Sequence, residues 1–251
     1  MAGDDRATAD APFIKSVILV RERIEQPDAY PFTLAAVQAL DGLVFAPVTY
    51  FVGENGSGKS TILEALAVAS GFNAEGGTVN FNFATRRSES PLHRCLRLAR
   101  IHRPKNGFFL RAESFFNVAT EVERLGVSGY GDRSLHEQSH GESFLALIKN
   151  RFRADGLYIL DEPEAALSPS RQLSLLVSMH ALVEAGSQFI IATHAPIVLA
   201  YPGATIYHLD ESGIARVEYD QTEHVQLTRD FLNGRERFIK RLFAAPPEAD
   251  Q

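Results

Sequence analysis

Residues Gly53-Glu54-Asn55-Gly56-Ser57-Gly58-Lys59-Ser60-Thr61 fit the pattern G-x-x-x-x-G-K-[ST], whose chemistry is phosphate binding. The glycines let the backbone curl so that successive N–H groups point inward at phosphate oxygens. A helix starting at Ser60 adds its partial positive charge at the same place. Lys59 has the reach to meet the β- and γ-phosphates of a nucleotide, and the Ser60 hydroxyl is a hard ligand for Mg2+. A ligand-free strand-to-helix turn is the bland alternative. The β-rich stretch before the motif and the amphipathic stretch after it favour the nucleotide site.

A second cluster lies 102 residues beyond Lys59. Leu157-Tyr158-Ile159-Leu160-Asp161-Glu162 is four apolar residues followed by two acids. In a P-loop fold such a strand is expected beside the one feeding the loop, with Asp161 at the Mg2+. Glu162 then sits near the γ-phosphate, where a carboxylate can orient or deprotonate water. The alternative for Asp161-Glu162-Pro163 is a strand end that caps the next helix.

The elements that must position these groups are legible in outline. Phe13–Val20 and Leu43–Val52 are β-rich, Thr78–Phe83 alternates, and Gly107–Leu110, Leu157–Leu160 and Gln188–Ala192 are short apolar runs. Helical spacing marks Ser60–Ala69, Glu142–Arg151 and Ser170–Glu184, and one last helix is expected over Thr222–Phe243. Ala204–Leu209 and Ile214–Glu218 read as a hairpin around Glu211-Ser212-Gly213. Strands alternating with helices of this length imply an α/β fold with a mainly parallel sheet covered on both faces. Residues 1–12 read as a disordered lead-in, 13–243 as a single domain with a helical lobe over 86–152, and 244–251 as a tail.

Composition narrows the class. The 251 residues carry 25 Lys plus Arg against 31 Asp plus Glu, a formal charge of -6. That balance argues against a surface wholly given to nucleic acid. The one cysteine, Cys95, can form no internal disulfide, as suits a reducing cytoplasm. The polar start of the chain has no secretory core, and no run of 18 apolar residues occurs, so no membrane span is expected. A local exception is Arg86, Arg87, Arg94, Arg97, Arg100, Arg103 and Lys105, opposed only by Glu89. This stretch is either a docking patch for DNA, RNA or an acidic protein, or a solvated helix face with arginines spaced by three. The second reading is preferred, because no aromatics interleave for stacking.

Taken together, the motifs resemble the ABC-type ATPases, a P-loop NTPase family, and within it the small stand-alone predicted ATPases of the SMC-like and DNA-repair branch. Asp161-Glu162-Pro163-Glu164-Ala165-Ala166-Leu167-Ser168 looks like the extended Walker B and D-loop. Ser139-His140-Gly141-Glu142-Ser143 resembles the signature, and Ala192-Thr193-His194-Ala195-Pro196 the switch-histidine motif. The order of the four motifs, over residues 13 to 218, is that of the family.

The resemblance implies an ABC head-like fold with antiparallel N-terminal strands. It also implies ATP and Mg2+ as ligands, and a homodimer that forms on ATP binding. Gly53 to Thr61 would bind nucleotide, Ser60 and Asp161 would hold Mg2+, Glu162 would be the general base, and Lys59 and His194 would meet the γ-phosphate. Ser139 and the Gly141 backbone would cap the phosphate held by the opposite protomer, and Ala166 to Ser168 would cross the seam. The chain departs from the family at His140, where glycine is usual, at Ser168, where aspartate is usual, and in lacking a Q-loop glutamine. Glu113 is the candidate substitute there, as Mg2+ or water ligand, with helix capping as its alternative. Tyr30-Pro31-Phe32 lies where the family sometimes stacks an aromatic on adenine, though core packing is preferred.

The 79 residues between Lys59 and Ser139 leave no space for an SMC-like coiled-coil arm. Besides an ATPase, the residues admit a nucleotide-gated switch with little turnover, or the ATP-binding subunit of a membrane transporter.

Overall fold

The computed structural model describes residues 13–74, 76–78, 90–111 and 140–244. The lead-in, Arg86, Arg87, Glu113, Ser139 and all but the first residue of the expected Thr78–Phe83 strand lie outside them.

Among the described residues six strands form one sheet, in the order β4 (Asn106–Arg111), β5 (Gly156–Asp161), β6 (Gln188–Ala192), β2 (Val48–Val52), β7 (Thr205–Asp210) and β8 (Gly213–Val217). The first five run parallel, and β8 returns antiparallel as the expected hairpin. Strands β2, β5 and β6 are buried along their whole length. That is why they read as continuous apolar runs rather than alternating ones.

Successive side chains serve two cores. Phe51, Ile159 and Ile190 pack with Ile62, Leu63 and Leu66 of helix α1 (Lys59–Ser70). Tyr50, Tyr158, Leu160 and Ile191 face the other way, onto Phe144 and Leu147 of α2 (His140–Arg151) and Leu175 and Met179 of α3 (Pro169–Glu184). Each such side chain contributes about 1.5–3 kcal/mol relative to exposure. The fold is therefore mixed α/β, its mainly parallel sheet sandwiched between helices.

Strands β1 (Ile14–Leu19) and β3 (Leu96–Arg100) pair antiparallel as a separate ribbon on the α1 side. The buried Gln188 amide joins this ribbon to the main sheet: its Oε1 accepts from the Ile14 N–H at 2.9 Å and its Nε2 donates to the Ile14 carbonyl at 2.9 Å.

Four expectations need correction. The basic stretch Arg94–Arg103 is not a helix face. Its centre is β3, where Leu96 and Leu98 turn toward the core while Arg97 and Arg100 are exposed. Apolar alternation, not arginine spacing, decided the element. The last helix is two, α4 (Glu223–Asn233) and α5 (Arg235–Leu242), broken at Gly234, the residue least suited to a helix interior after proline. Of the stretch Leu43–Val52 only Val48–Val52 is strand, and Val44 makes an isolated bridge to Ser16. Finally, β5 does not adjoin β2, because β6 lies between them.

Candidate nucleotide-binding and catalytic site

The intervening β6 is what assembles the site. Its end at Ala192 is tied on both sides: the Glu162 N–H donates to the Ala192 carbonyl at 2.9 Å, and the Thr193 N–H to the Phe51 carbonyl at 3.3 Å. The carboxyl ends of β2, β5 and β6 thus stand together, the place where open parallel sheets hold ligands. Loop Gly53–Gly58, the pair Asp161-Glu162 and His194 converge there.

The loop is shaped by glycine where nothing else fits. Gly53 lies at φ +145°, and a Cβ on it would stand 2.2 Å from the Leu209 carbonyl oxygen of β7. Gly58 lies at φ +100° immediately before α1. Gly53→Ala should therefore destabilise the chain by about 1–3 kcal/mol, by backbone strain and overpacking, read as a lowered urea midpoint. An unchanged midpoint would mean that the loop is not clamped against β7.

Lys59 is buried, and its Nζ donates to the carbonyls of Gly53 at 2.7 Å and Glu54 at 2.8 Å. Burial pushes its ammonium pKa down, against the pull of Glu162, Asp161 and Glu164. The Ser57 hydroxyl is buried in the loop with no hydrogen-bond partner among the described residues. A cradle with an ammonium at its centre and a spare hydroxyl is suited to a polyanion.

Ser60, in the first turn of α1, donates its hydroxyl to Asp161 Oδ1 at 3.1 Å. Two hard oxygen ligands are thereby brought together at a helix N-terminus, a donor set that fits Mg2+ completed by phosphate oxygens and water. Among the described residues no three His, Cys, Asp or Glu side chains form a cage, and a nucleotide-borne Mg2+ needs none. Arg111, paired with Asp161 in the β4–β5 register, brings its Nε to 4.0 Å from Asp161 Oδ2 and donates through Nη1 to Glu64 Oε2 at 2.8 Å.

Glu162 is one of two non-glycine residues at positive φ among those described, at +52°. Holding an ordinary side chain there costs on the order of 1–2 kcal/mol. The strained turn is locked by Pro163 and the single helical turn Pro163–Ala166 that follows. It leaves the carboxylate 42% exposed, on a cleft of 470 Å3 lined by Glu54, Asn55, Glu162 and His194.

His194 closes that cleft. Its Nε2 lies 3.7 Å from Glu162 Oε1, and its backbone N–H donates to the Glu164 carboxylate at 2.6 Å. Burial, with Lys59 nearby, pushes the imidazole pKa down against the pull of Glu162, favouring the neutral ring. The carboxyl of Glu164 is pushed up by burial, against the pull of that same N–H.

The structure places the remaining sequence candidates as follows. Gly141 lies in the first turn of α2, where a Cβ would stand 2.8 Å from the Ala166 carbonyl and 2.4 Å from Arg171 Nη1. The signature region thus abuts the 166–168 turn of the same chain, and Glu142 pairs with Arg171 at 3.3 Å. Of the Tyr30-Pro31-Phe32 trio Pro31 and Phe32 are buried. Tyr30 is 64% exposed, its hydroxyl 2.6 Å from Thr61 Oγ1 at the start of α1.

Sequence reasoning did not find Glu164, Arg111 or His224. His224 lies 30 residues from His194 and hydrogen-bonds it, Nε2 to Nδ1, at 2.8 Å. Parallel register from β5 to β4 could have shown Arg111; no spacing rule links His194 to His224.

A family model described as an AAA domain matches residues 40–101, the segment that contains the loop and α1. A protein described as an ABC transporter ATP-binding protein, from Methanothermobacter marburgensis, is 37% identical over 79 residues, covering 31% of this chain and 28% of that protein. The thiamine import ATP-binding protein of Cereibacter sphaeroides is 32% identical over 81 residues, covering 32% of this chain and 35% of its own length. The chain thus spans about a third of the length of these relatives. Among solved structures, the SMC head domain from Thermotoga maritima is 18% identical with a TM-score of 0.43, covering 70% of this chain and 92% of that one. The chain is similar to ABC-type ATP-binding proteins. Among the described residues no helix is long and apolar enough to cross a membrane.

Proposed function

We propose that this chain is an Mg2+-dependent ATPase that hydrolyses ATP to ADP and phosphate, closing two copies around the nucleotide. The observation that carries the reading is the convergence of Lys59, the Ser60–Asp161 pair, Glu162 and His194 at the carboxyl ends of β2, β5 and β6.

In this account the loop amides and Lys59 bind the phosphates, and Lys59 exchanges its two carbonyl partners for phosphate oxygens. Ser60 and Asp161 would hold Mg2+, which supplies charge neutralisation on the β- and γ-oxygens when bound. Glu162, solvent-facing and fixed by its strained turn, orients the attacking water and takes its proton. His194, neutral, donates toward the γ-phosphate and keeps that water in place. Gly141, with Ser139 two residues before it, serves the γ-phosphate of the opposite copy, and the Ala166 carbonyl against Gly141 links the two functions. The basic surface around β3 is available to an acidic partner, nucleic acid among them.

Mixing two inactive chains tests the composite site. Ser139→Arg should bind ATP without hydrolysing it, and Lys59→Ala should bind none. In a mixed dimer one site carries both lesions and the other neither, so the mixture should regain part of the phosphate release that neither chain shows alone. A Ser139→Arg chain that hydrolyses ATP normally as a dilute monomer would make the protein a simpler P-loop NTPase. A chain that pairs on ATP and releases no phosphate would be a nucleotide-gated switch.

A further inference from the structure

The geometry points to His224 as the residue that positions His194, by donating its Nε2–H to His194 Nδ1 and thereby leaving the His194 proton on Nε2, facing Glu162 and the nucleotide cleft. The inference rests on the ATPase reading for its purpose, but the proton assignment stands on the contacts themselves.

The two rings meet edge to face, with centroids 4.8 Å apart and planes at 65°. The 2.8 Å contact between His194 Nδ1 and His224 Nε2 is a hydrogen bond only if one proton lies between the nitrogens. Burial pushes both pKa values down, with Lys59 acting the same way on each ring against the pull of Glu162 and Glu223, which favours neutral imidazoles with a single N–H each.

Two arrangements remain. If His194 carried its proton on Nδ1, its Nε2 lone pair would face Glu162 Oε1 at 3.7 Å, acceptor against acceptor. A phosphate oxygen arriving in the cleft would meet the same lone pair. If His224 donates instead, His194 Nε2–H points at acceptors on both counts. His194 Nε2 is buried and has no hydrogen-bond partner among the described residues, as befits a donor held for a group that arrives. Which nitrogen of a working imidazole carries its proton is set by what the other one bonds.

His224 is itself held. It lies in the first turn of α4, preceded by the buried Thr222, whose hydroxyl donates to the Tyr219 carbonyl at 2.8 Å. The Tyr219 hydroxyl in turn donates to the Pro196 carbonyl at 3.1 Å, two residues past His194. Val225, next to His224, is buried. The start of α4 is thus bolted to the turn that carries His194.

The test uses the full chain with His224→Phe and His224→Gln. Phenylalanine keeps the bulk and removes the donor, whereas the glutamine amide reaches about as far as imidazole Nε2 and keeps an N–H. Phosphate release should show kcat lowered about tenfold or more in His224→Phe, with KM for ATP within about twofold, and most of the rate restored in His224→Gln. Imidazole 15N spectra, with His194 assigned through His194→Gln, should show the wild-type His194 proton on Nε2. Its Nδ1 signal should be displaced by an accepted hydrogen bond, a displacement lost in His224→Phe and recovered in His224→Gln.

A His194 proton on Nδ1, or an Nδ1 signal unmoved by His224→Phe, overturns the proposal. So does wild-type turnover in His224→Phe while His194→Gln and Glu162→Gln are inactive. If those last two variants also turn over normally, the ATPase assignment of the site fails instead, and the spectra alone decide the proton. Should His224→Phe not fold, the wild-type spectrum and the glutamine variant still decide.

Discussion

Lys59→Ala should fold and yet lose ATP, with affinity reduced about 100-fold or more by calorimetry. The Lys59 ammonium is the buried cation at the centre of the loop, and charge-assisted hydrogen bonds contribute about 1.5–3 kcal/mol each, so losing two costs two or more decades. The loop itself should persist, because its shape depends on Gly53 against Leu209 and on Gly58 at positive φ rather than on the lysine. Equal affinity in mutant and wild type would mean that Gly53–Thr61 is a structural turn.

Glu162→Gln has the opposite signature. ATP affinity should be kept, because Lys59 and the Ser60–Asp161 pair are untouched, while hydrolysis falls by roughly 100-fold or more, the scale for losing a general base. Glutamine fills the same volume in the same strained turn, so stability should change little. Light scattering should then find the ATP-loaded variant as a lasting dimer. A variant that hydrolyses at the wild-type rate would reduce Glu162 to a turn residue and leave Asp161 as the acid that matters.

Local pattern carried much of this site and stopped where contact is long-range. The loop, the acidic strand end and the turn after β6 each depend on a few consecutive residues, so residue type and spacing suffice to find them. The parallel sheet was legible because β2, β5 and β6 are buried on both faces and must be apolar throughout.

Order within the sheet was not legible in the same way. The length and polarity of a strand do not say what lies beside it, and β6 inserts between β5 and β2. That insertion is what brings His194 between Glu162 and the loop. Arg94 to Arg103 misled because charged side chains reach solvent from a strand as readily as from a helix, while Leu96 and Leu98 set the period. His194 and His224, 30 residues apart, meet only because the C-terminal segment folds back onto the turn at Pro196. Glu162 shows no sign in sequence of its positive φ, which comes from the packing of the turn around Pro163.

The central claim is hydrolysis at a site completed by a second copy, and it is tested most directly by phosphate release from ATP as the protein is diluted. With Mg2+ and saturating ATP, specific activity should fall with dilution, approaching proportionality to protein concentration once dimers become scarce. Glu162→Gln, held as an ATP-bound dimer, should stay low throughout. A specific activity that is constant down to concentrations where light scattering finds only monomer would contradict the account, and so would the absence of phosphate release at every concentration.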